Sequence, residues 1–264
     1  MKYLEKIKQN SLYFALFLIG LSLLASCKTK YEVSKITGRK ITVNANLSND
    51  AQIESFIAPY AQKINQDMNR VLAFNPETLD KSIALSFGQS KMSNWFADVT
   101  FERTNLVLSL KKINPNKIDL CLLNSGGIRA PLPKGDVTTR QAFELMPFEN
   151  SIAVLGLKGS QIFDLMQQII KDKKPHPLSG IKIFLAKDYQ IEKIEIGNQP
   201  IAFDKIYYLA TTDYTANGGD GMDILTKAHS RLDLDYKLRN LLIDYFEAVD
   251  QVNANDDIRI IIKP

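Results

Sequence analysis

The chain has 264 residues, of which 45% are hydrophobic, 9% aromatic and 23% charged. This composition is that of an ordinary globular protein, and it excludes a disordered chain, a collagen and a multi-span membrane protein. The net charge of +4 is spread without long blocks of like charge, so nucleic acid is not an expected partner. Two histidines and two cysteines are too few for a histidine-rich metal centre.

The amino terminus has the pattern of a secretory signal. Lys2, Lys6 and Lys8 precede an apolar run over residues 12–24. This run is too short to cross a membrane as a mature helix, which needs about 20 apolar residues. It ends in Leu24-Ala25-Ser26-Cys27, which resembles the lipobox of bacterial lipoproteins.

The lipobox resemblance implies that residues 1–26 are removed and that Cys27 is acylated and anchors the chain to a membrane. Lys28, rather than Asp, follows this cysteine. In lipoproteins of two-membrane bacteria that residue favours the outer membrane, and we expect the protein to face the periplasm. An ordinary signal peptide that happens to contain a cysteine is the alternative. Residues 27–39 are polar and are predicted to be a tether.

Residues 40–264 are predicted to form one domain. A first strand is expected near residues 40–43. A long amphipathic helix is predicted next by apolar residues at helical spacing: Ile53, Ile57, Tyr60, Ile64, Met68, Val71 and Leu72. A second helix is predicted over residues 92–110, with Trp95, Phe96 and Val99 facing inward.

Beyond residue 117 short strands alternate with short helices. Strands are predicted over residues 118–123, 152–157, 181–185, 191–196, 206–211 and 258–262. Helices are predicted over residues 139–145, 160–170 and 234–249, and Thr138 with Gln141 matches a capping box. The expected fold class is α/β of the α+β type. Cys121 is expected to be a buried, inert thiol, and His176 and His229 to be exposed loop residues.

Three loops could carry chemistry. Residues 124–129 read Asn-Ser-Gly-Gly-Ile-Arg. Paired glycines allow consecutive backbone N–H groups to converge on an anion, and the Arg129 guanidinium could bind the same anion. In residues 146–150, Phe148 either belongs to the core or presents its face to a flat ligand. Residues 212–221 contain Tyr214 and a glycine-rich turn around Asp220, which either binds sugar hydroxyls or is a structural or calcium-type turn.

In this order the three loops resemble the C-terminal, substrate-recognition domain of the 5′-nucleotidase family. The family pattern is Asn-x-Gly-Gly-Ile-Arg, Gly-Asp with Thr, Pro-Phe-x-Asn, Ser-Gly, and an aromatic before Asn-Gly-Gly-Asp-Gly. The matching positions are 124–129, 135–138, 147–150, 179–180, 214 and 217–221. The resemblance covers residues 40–264 and implies a mixed sheet with flanking helices.

The resemblance also implies roles for individual residues. Phe148 and Tyr214 would hold a nucleobase between their ring faces, Arg129 would contact the phosphate, and Asp220 the ribose hydroxyls. The full set of expected substrate-binding residues is Asn124, Gly126, Gly127, Arg129, Phe148, Asn150, Tyr214, Gly219 and Asp220.

Two asparagines of that set, Asn124 and Asn150, would contact the edge of the base or the sugar.

The sequence departs from the family pattern at one position. Family members often have a phosphate-binding arginine near the place where this chain has Gly88. Lys91 either compensates for that arginine or is a solvated surface charge.

In the full-length family, hydrolysis belongs to an N-terminal metallophosphatase domain with two divalent metals. None of its metal-binding signatures occurs in this chain, so we expect no catalytic residue, no metal and no other cofactor here. The first hypothesis is therefore the nucleotide-binding half of a split 5′-nucleotidase, with a separate metallophosphatase protein holding the divalent metals. A stand-alone nucleotide- or nucleoside-binding lipoprotein and a non-catalytic pseudoenzyme are the alternatives.

Overall fold

The computed structural model describes residues 2–24, 32–44 and 47–263. Cys27 lies outside these residues, so its lipidation stays a prediction. The chain divides into two units, Met1–Glu54 and Ser55–Pro264. None of the described helices is long and apolar enough to cross a membrane. The strand predicted near residues 40–43 is wrong: residues 32–44 form no regular element, and Ile41 and Val43 are exposed to solvent.

The regular elements are numbered in chain order. The helices are α1 (Lys2–Leu24), α2 (Ala51–Met68), α3 (Lys91–Leu110), α4 (Thr139–Leu145), α5 (Gly159–Lys171), α6 (Asp213–Ala216) and α7 (Leu238–Ala248). The strands are β1 (Val71–Asn75), β2 (Leu120–Leu122), β3 (Gly135–Thr138), β4 (Ser151–Lys158), β5 (Leu178–Ser179), β6 (Ile181–Leu185), β7 (Ile191–Ile196), β8 (Gln199–Pro200), β9 (Ile206–Thr212), β10 (Ser230–Lys237) and β11 (Ile260–Ile262).

A mixed five-stranded sheet lies at the centre of the second unit, in the order β10-β4-β9-β2-β5. Strands β2 and β9 are parallel, and β4 runs antiparallel to β9. A four-stranded sheet has the order β11-β6-β7-β8, and β1 pairs with β3. The arrangement confirms the predicted mixed sheet with flanking helices.

The central sheet is covered on both faces because successive side chains of a strand point to opposite sides. Cys121 and Val154 belong to the core that includes Trp95 of α3 and Phe246 of α7, while Leu122 and Leu155 belong to the core that includes Leu165 of α5. The predicted burial of the Cys121 thiol is confirmed, and burial raises its pKa.

Most predicted elements are confirmed to within a few residues, and two errors are informative. Val71 and Leu72, placed at the end of the first amphipathic helix, belong to strand β1. The helix predicted from residue 234 begins at Leu238, because Leu234 lies in β10 at the edge of the sheet. In both cases strand pairing overrides an apolar spacing that also fits a helix.

Candidate functional site

Three loops meet at one edge of the central sheet. Because β2 and β9 are parallel, their carboxyl ends point the same way and bring residues 124–129 and 213–221 together. Because β4 is antiparallel to β9, its amino end and residues 146–150 lie at that same edge, with Ile152 opposite Thr212. The strand directions therefore gather the residues that the sequence singled out.

The 124–129 loop does not form the anion-binding backbone that the paired glycines suggested. Ser125–Gly127 is a turn of 3-10 helix, and neither Gly126 nor Gly127 has a positive φ. The Gly127 N–H donates to Asn124 O at 3.0 Å and the Ile128 N–H to Ser125 O at 3.3 Å. These donors are used inside the turn, so they cannot converge on an anion.

Gly127 instead allows a close approach of the Asn124 side chain, and Gly126 lies at ordinary contact distance from Asp220. A Cβ on Gly127 would lie 3.2 Å from Asn124 Oδ1, and a Cβ on Gly126 would lie 3.9 Å from Asp220 Oδ2. The buried Asn124 side chain thus folds back over the turn, and the Asp220 carboxylate lies next to it.

Two cations bind the carbonyl oxygens of this loop. Arg129 Nη1 lies 3.2 Å from Gly126 O, and Lys81 Nζ lies 2.7 Å from Ile128 O and 3.3 Å from Ser125 O. Lys81 was not among the predicted site residues, because no motif in the sequence marks it. Its approach to the loop depends on a contact 44 to 47 residues away in the chain.

His176 also contacts this loop, and its prediction as an exposed residue is wrong. It is 2% exposed, and its Nδ1 accepts a hydrogen bond from the Ser125 N–H at 3.1 Å. Burial lowers the pKa of His176 from 6.5 to about 4. The prolines on both sides, Pro175 and Pro177, were the available signal, because they restrict this segment to an extended path beside β2.

Acid is expected to destabilise the protein through His176. Its folded pKa lies below its ordinary value, so its stabilising contribution is complete above pH 6.5 and is lost as the pH falls toward 4. Between about pH 7.5 and about pH 5 the loss is about 2 kcal/mol. Urea unfolding at both pH values measures it.

The matched variant for this prediction is His176→Asn, which keeps an acceptor oxygen but cannot titrate. Between the two pH values, the unfolding free energy of this variant is expected to fall by about 2 kcal/mol less than that of the wild-type chain. His229→Asn, at an exposed position, controls for the loss of an imidazole. Equal pH dependence of His176→Asn and wild type would contradict the prediction.

The 146–150 loop presents an aromatic face to solvent. The Phe148 ring is 41% exposed, and Arg129 Cζ lies 5.7 Å from its centroid. The adjacent Glu149 forms ion pairs with Lys237 and Arg239 at the start of α7. These two cations lower the pKa of Glu149 from 4.5 to about 2, so its carboxylate ties the loop to the domain at neutral pH.

Tyr214 and Asp220 form a second pair of contacting side chains at this edge of the sheet. The Tyr214 hydroxyl donates to Asp220 Oδ1 and accepts from the Asp220 N–H, both at 3.2 Å. Tyr214 is 44% exposed. Its ring packs against Gly219, where a Cβ would lie 2.5 Å from Tyr214 Cε1 and 2.6 Å from Tyr214 O, so a glycine is required. Asp220 itself has a φ of 57°, in the left-handed region that asparagine and aspartate tolerate.

The remaining predicted residues are placed as follows. Asn150 is half-buried, and its carbonyl oxygen accepts from the Leu238 N–H at 2.9 Å. Lys91 pairs with Glu77 at 2.9 Å, so its charge is used outside the loop cluster. Among the side chains that the structure describes, no three His, Cys, Asp or Glu are placed to hold a metal ion, and we assign no metal site to them.

Comparison with known proteins identifies the family of this chain. Residues 74–227 match the family described as 5′-nucleotidase, C-terminal domain. A 5′-nucleotidase of Vibrio cholerae is 23% identical over 234 residues, which are 86% of this chain and 40% of that protein. The chain thus spans less than half the length of this relative.

Solved structures show the same fold. The 5′-nucleotidase precursor of Thermus thermophilus superposes with a TM-score of 0.65 at 23% identity, over 80% of this chain and 43% of that one. The NAD nucleotidase of Haemophilus influenzae gives a TM-score of 0.60 at 19% identity, over 81% and 42% of the two chains. Since the family match covers more than half of its residues, this chain belongs to the 5′-nucleotidase C-terminal domain family.

Proposed function

We propose that this chain binds nucleoside monophosphates at the loop edge of the central sheet. The observation that supports this most is the convergence there of two exposed aromatic rings, Phe148 and Tyr214, with the Asp220 carboxylate and the Arg129 guanidinium. A nucleotide needs these groups: faces for the base, a carboxylate for the ribose hydroxyls and a cation for the phosphate.

The proposed ligand fits the openness of the site. Each ring has a solvent-exposed face, and stacking on such a face tolerates any base. Asp220 Oδ1 is held by the Tyr214 hydroxyl, while Oδ2 lies on the Gly126 side. Ribose recognition through Asp220 and edge recognition through Asn124 and Asn150 are part of the proposal.

Hydrolysis is proposed to take place on a separate metallophosphatase protein. The family match and the nucleotidase relative support a role in nucleotide catabolism. In this scheme the partner holds divalent metals that activate water, and the chain described here binds the base and ribose and directs the phosphate toward those metals. Binding and positioning are the contributions of its own residues.

The place of action is proposed to be the periplasmic face of the outer membrane, with lipid on Cys27 as the anchor. The support is the lipobox-like Leu24-Ala25-Ser26-Cys27 and the Lys28 that follows it. Detergent-phase partition tests this: wild-type protein should enter the detergent phase and a Cys27→Ser variant should remain aqueous. Aqueous partition of both would contradict the anchor.

Two assays test the proposed function. Calorimetry with AMP measures binding to the purified chain, and a phosphate-release assay with AMP and Mn²⁺ is run with and without lone metallophosphatase chains of the same organism. We expect the chain alone to bind AMP and to release no phosphate, and one of the mixtures to release it.

The outcomes separate the alternatives. Absence of AMP and adenosine binding by the wild-type chain would contradict nucleotide recognition and favour a pseudoenzyme. AMP binding without phosphate release in any mixture would contradict the split enzyme and favour a stand-alone nucleotide-binding protein. Release that does not depend on adding this chain would also contradict the split enzyme.

A further inference from the structure

The turn at residues 218–221 carries Asp220, and most of its backbone is left-handed. Gly218, Asp220 and Gly221 have φ values of 88°, 57° and 81°. A turn that consists largely of glycine has many backbone conformations open to it. The direction in which the Asp220 carboxylate points therefore depends on contacts from other parts of the chain.

Two side chains reach this turn from helix α5 and from the α5–β5 connection, residues 172–177. Gln168 Nε2 donates to Gly221 O at 2.7 Å, and Lys174 Nζ donates to Asp220 O at 3.2 Å. Two consecutive carbonyl groups of the turn are thus held by side chains from outside it.

The α5–β5 connection also bonds to the 124–129 loop. Nδ1 of the buried His176 accepts from the Ser125 N–H at 3.1 Å. The Lys174 N–H donates to Ile169 O at 3.3 Å, at the buried end of α5. The connection is therefore bonded to the helix and to both loops, and it fixes their positions relative to one another.

The Asp220 carboxylate lies between these contacts. Its Oδ1 accepts from the Tyr214 hydroxyl at 3.2 Å, and a Cβ on Gly126 would lie 3.9 Å from its Oδ2. The charge of Asp220 raises the pKa of His176 and that of Lys174 lowers it, so the three groups lie near one another. Oδ2, for which the described residues provide no hydrogen-bond partner, can accept from a ligand.

We propose that Gln168 and Lys174 are positioning residues, which hold the 218–221 turn so that the Asp220 carboxylate faces the ribose hydroxyls. They thereby set the preference of the site for ligands that carry both hydroxyls. The inference rests on the proposed function, since it assumes that Asp220 binds the ribose. It adds two residues that no motif in the sequence indicates.

The test compares adenosine with 2′,3′-dideoxyadenosine, which differ only in the two ribose hydroxyls. Calorimetry with the wild-type chain should give adenosine an affinity at least about 10-fold higher, as for hydrogen bonds to a charged acceptor. In a Gln168→Leu, Lys174→Met double variant this preference should fall to about threefold or less. Affinity for dideoxyadenosine should stay within about twofold, because base stacking remains.

A matched control changes the same residue types one position away. Gln167 is exposed on α5, and Lys173 Nζ lies over the Tyr189 ring at 5.8 Å from its centroid. A Gln167→Leu, Lys173→Met double variant should therefore keep the wild-type preference. Lys174→Arg, which retains N–H donors at this position, should keep it as well.

An Asp220→Gly variant separates positioning from general support of the site. Glycine adopts the φ of 57° without strain but has no carboxylate, so the preference for adenosine should be lost. Adding Gln168→Leu and Lys174→Met to this variant should then change neither affinity by more than about twofold, because their effect acts through Asp220.

The outcomes distinguish the inference from the proposed function. An equal loss of affinity for both nucleosides in the Gln168→Leu, Lys174→Met variant would overturn the inference, because the two side chains would then support the whole site. An unchanged preference would overturn it as well. If the wild-type chain binds AMP but does not distinguish the two nucleosides, the inference and the ribose contact fall while nucleotide binding stands. If it binds neither AMP nor a nucleoside, the proposed function falls together with the inference.

Discussion

Replacing Phe148 and Tyr214 together by alanine is expected to weaken AMP binding by at least about 30-fold, because each aromatic face contributes about 1–3 kcal/mol of base stacking. Both rings are exposed, and neither is needed to fill the core. The variant should therefore stay folded, with a loss of about 1 kcal/mol of unfolding free energy from the two missing Tyr214–Asp220 hydrogen bonds. Calorimetric titration with AMP and with adenosine measures the effect, and both affinities should fall in parallel.

The matched control for the double variant is Phe203→Ala, which removes an exposed phenyl ring that packs on Phe163. It should bind AMP as the wild type does. Wild-type affinity in the double variant would show that the base does not lie between these rings. That result would contradict the proposed binding site even if AMP binds elsewhere on the chain.

Replacing Trp95 by alanine is expected to cost about 3–5 kcal/mol of the unfolding free energy. The side chain is 1% exposed, and its ring stacks on Phe246 at 5.6 Å and meets Tyr245 edge-on at 6.0 Å. Removing it leaves a cavity between α3 and α7. Since Trp95 is the single tryptophan, unfolding should be followed by circular dichroism rather than by tryptophan fluorescence.

Two further variants calibrate this measurement. Trp95→Phe should cost less than Trp95→Ala, because a ring remains and because the buried Trp95 Nε1 has no partner among the described residues. Leu110→Ala, at a position 72% exposed in the last turn of the same helix, should change stability by less than about 0.5 kcal/mol. A loss of under about 1 kcal/mol in Trp95→Ala would show that α3 does not pack as described.

The local amino-acid sequence correctly predicted the elements that have a regular apolar spacing or a capping box. The inward set of α3 is confirmed, and the Gln141 side chain accepts from the Thr138 N–H at 2.6 Å at the start of α4. Strands β6 and β7 have the predicted bounds. Pattern failed at β1 and β10, because strand pairing depends on residues far away in the chain and an apolar spacing alone can fit either structure.

The candidate site also has some features that the sequence predicted and others that depend on the tertiary structure. The amino-acid sequence by itself determined the family and singled out three candidate loops, since their residue types and order are properties of the chain. Only the tertiary structure decided that the turn at Ser125–Gly127 uses its own N–H groups, that His176 is buried under Ser125, and that Lys81 binds the loop carbonyls. These contacts join segments more than 40 residues apart or depend on a backbone conformation that two glycines leave open. The presence of only two histidines excluded a histidine-rich metal centre, and the fold showed that one of them, His176, bonds to the 124–129 loop.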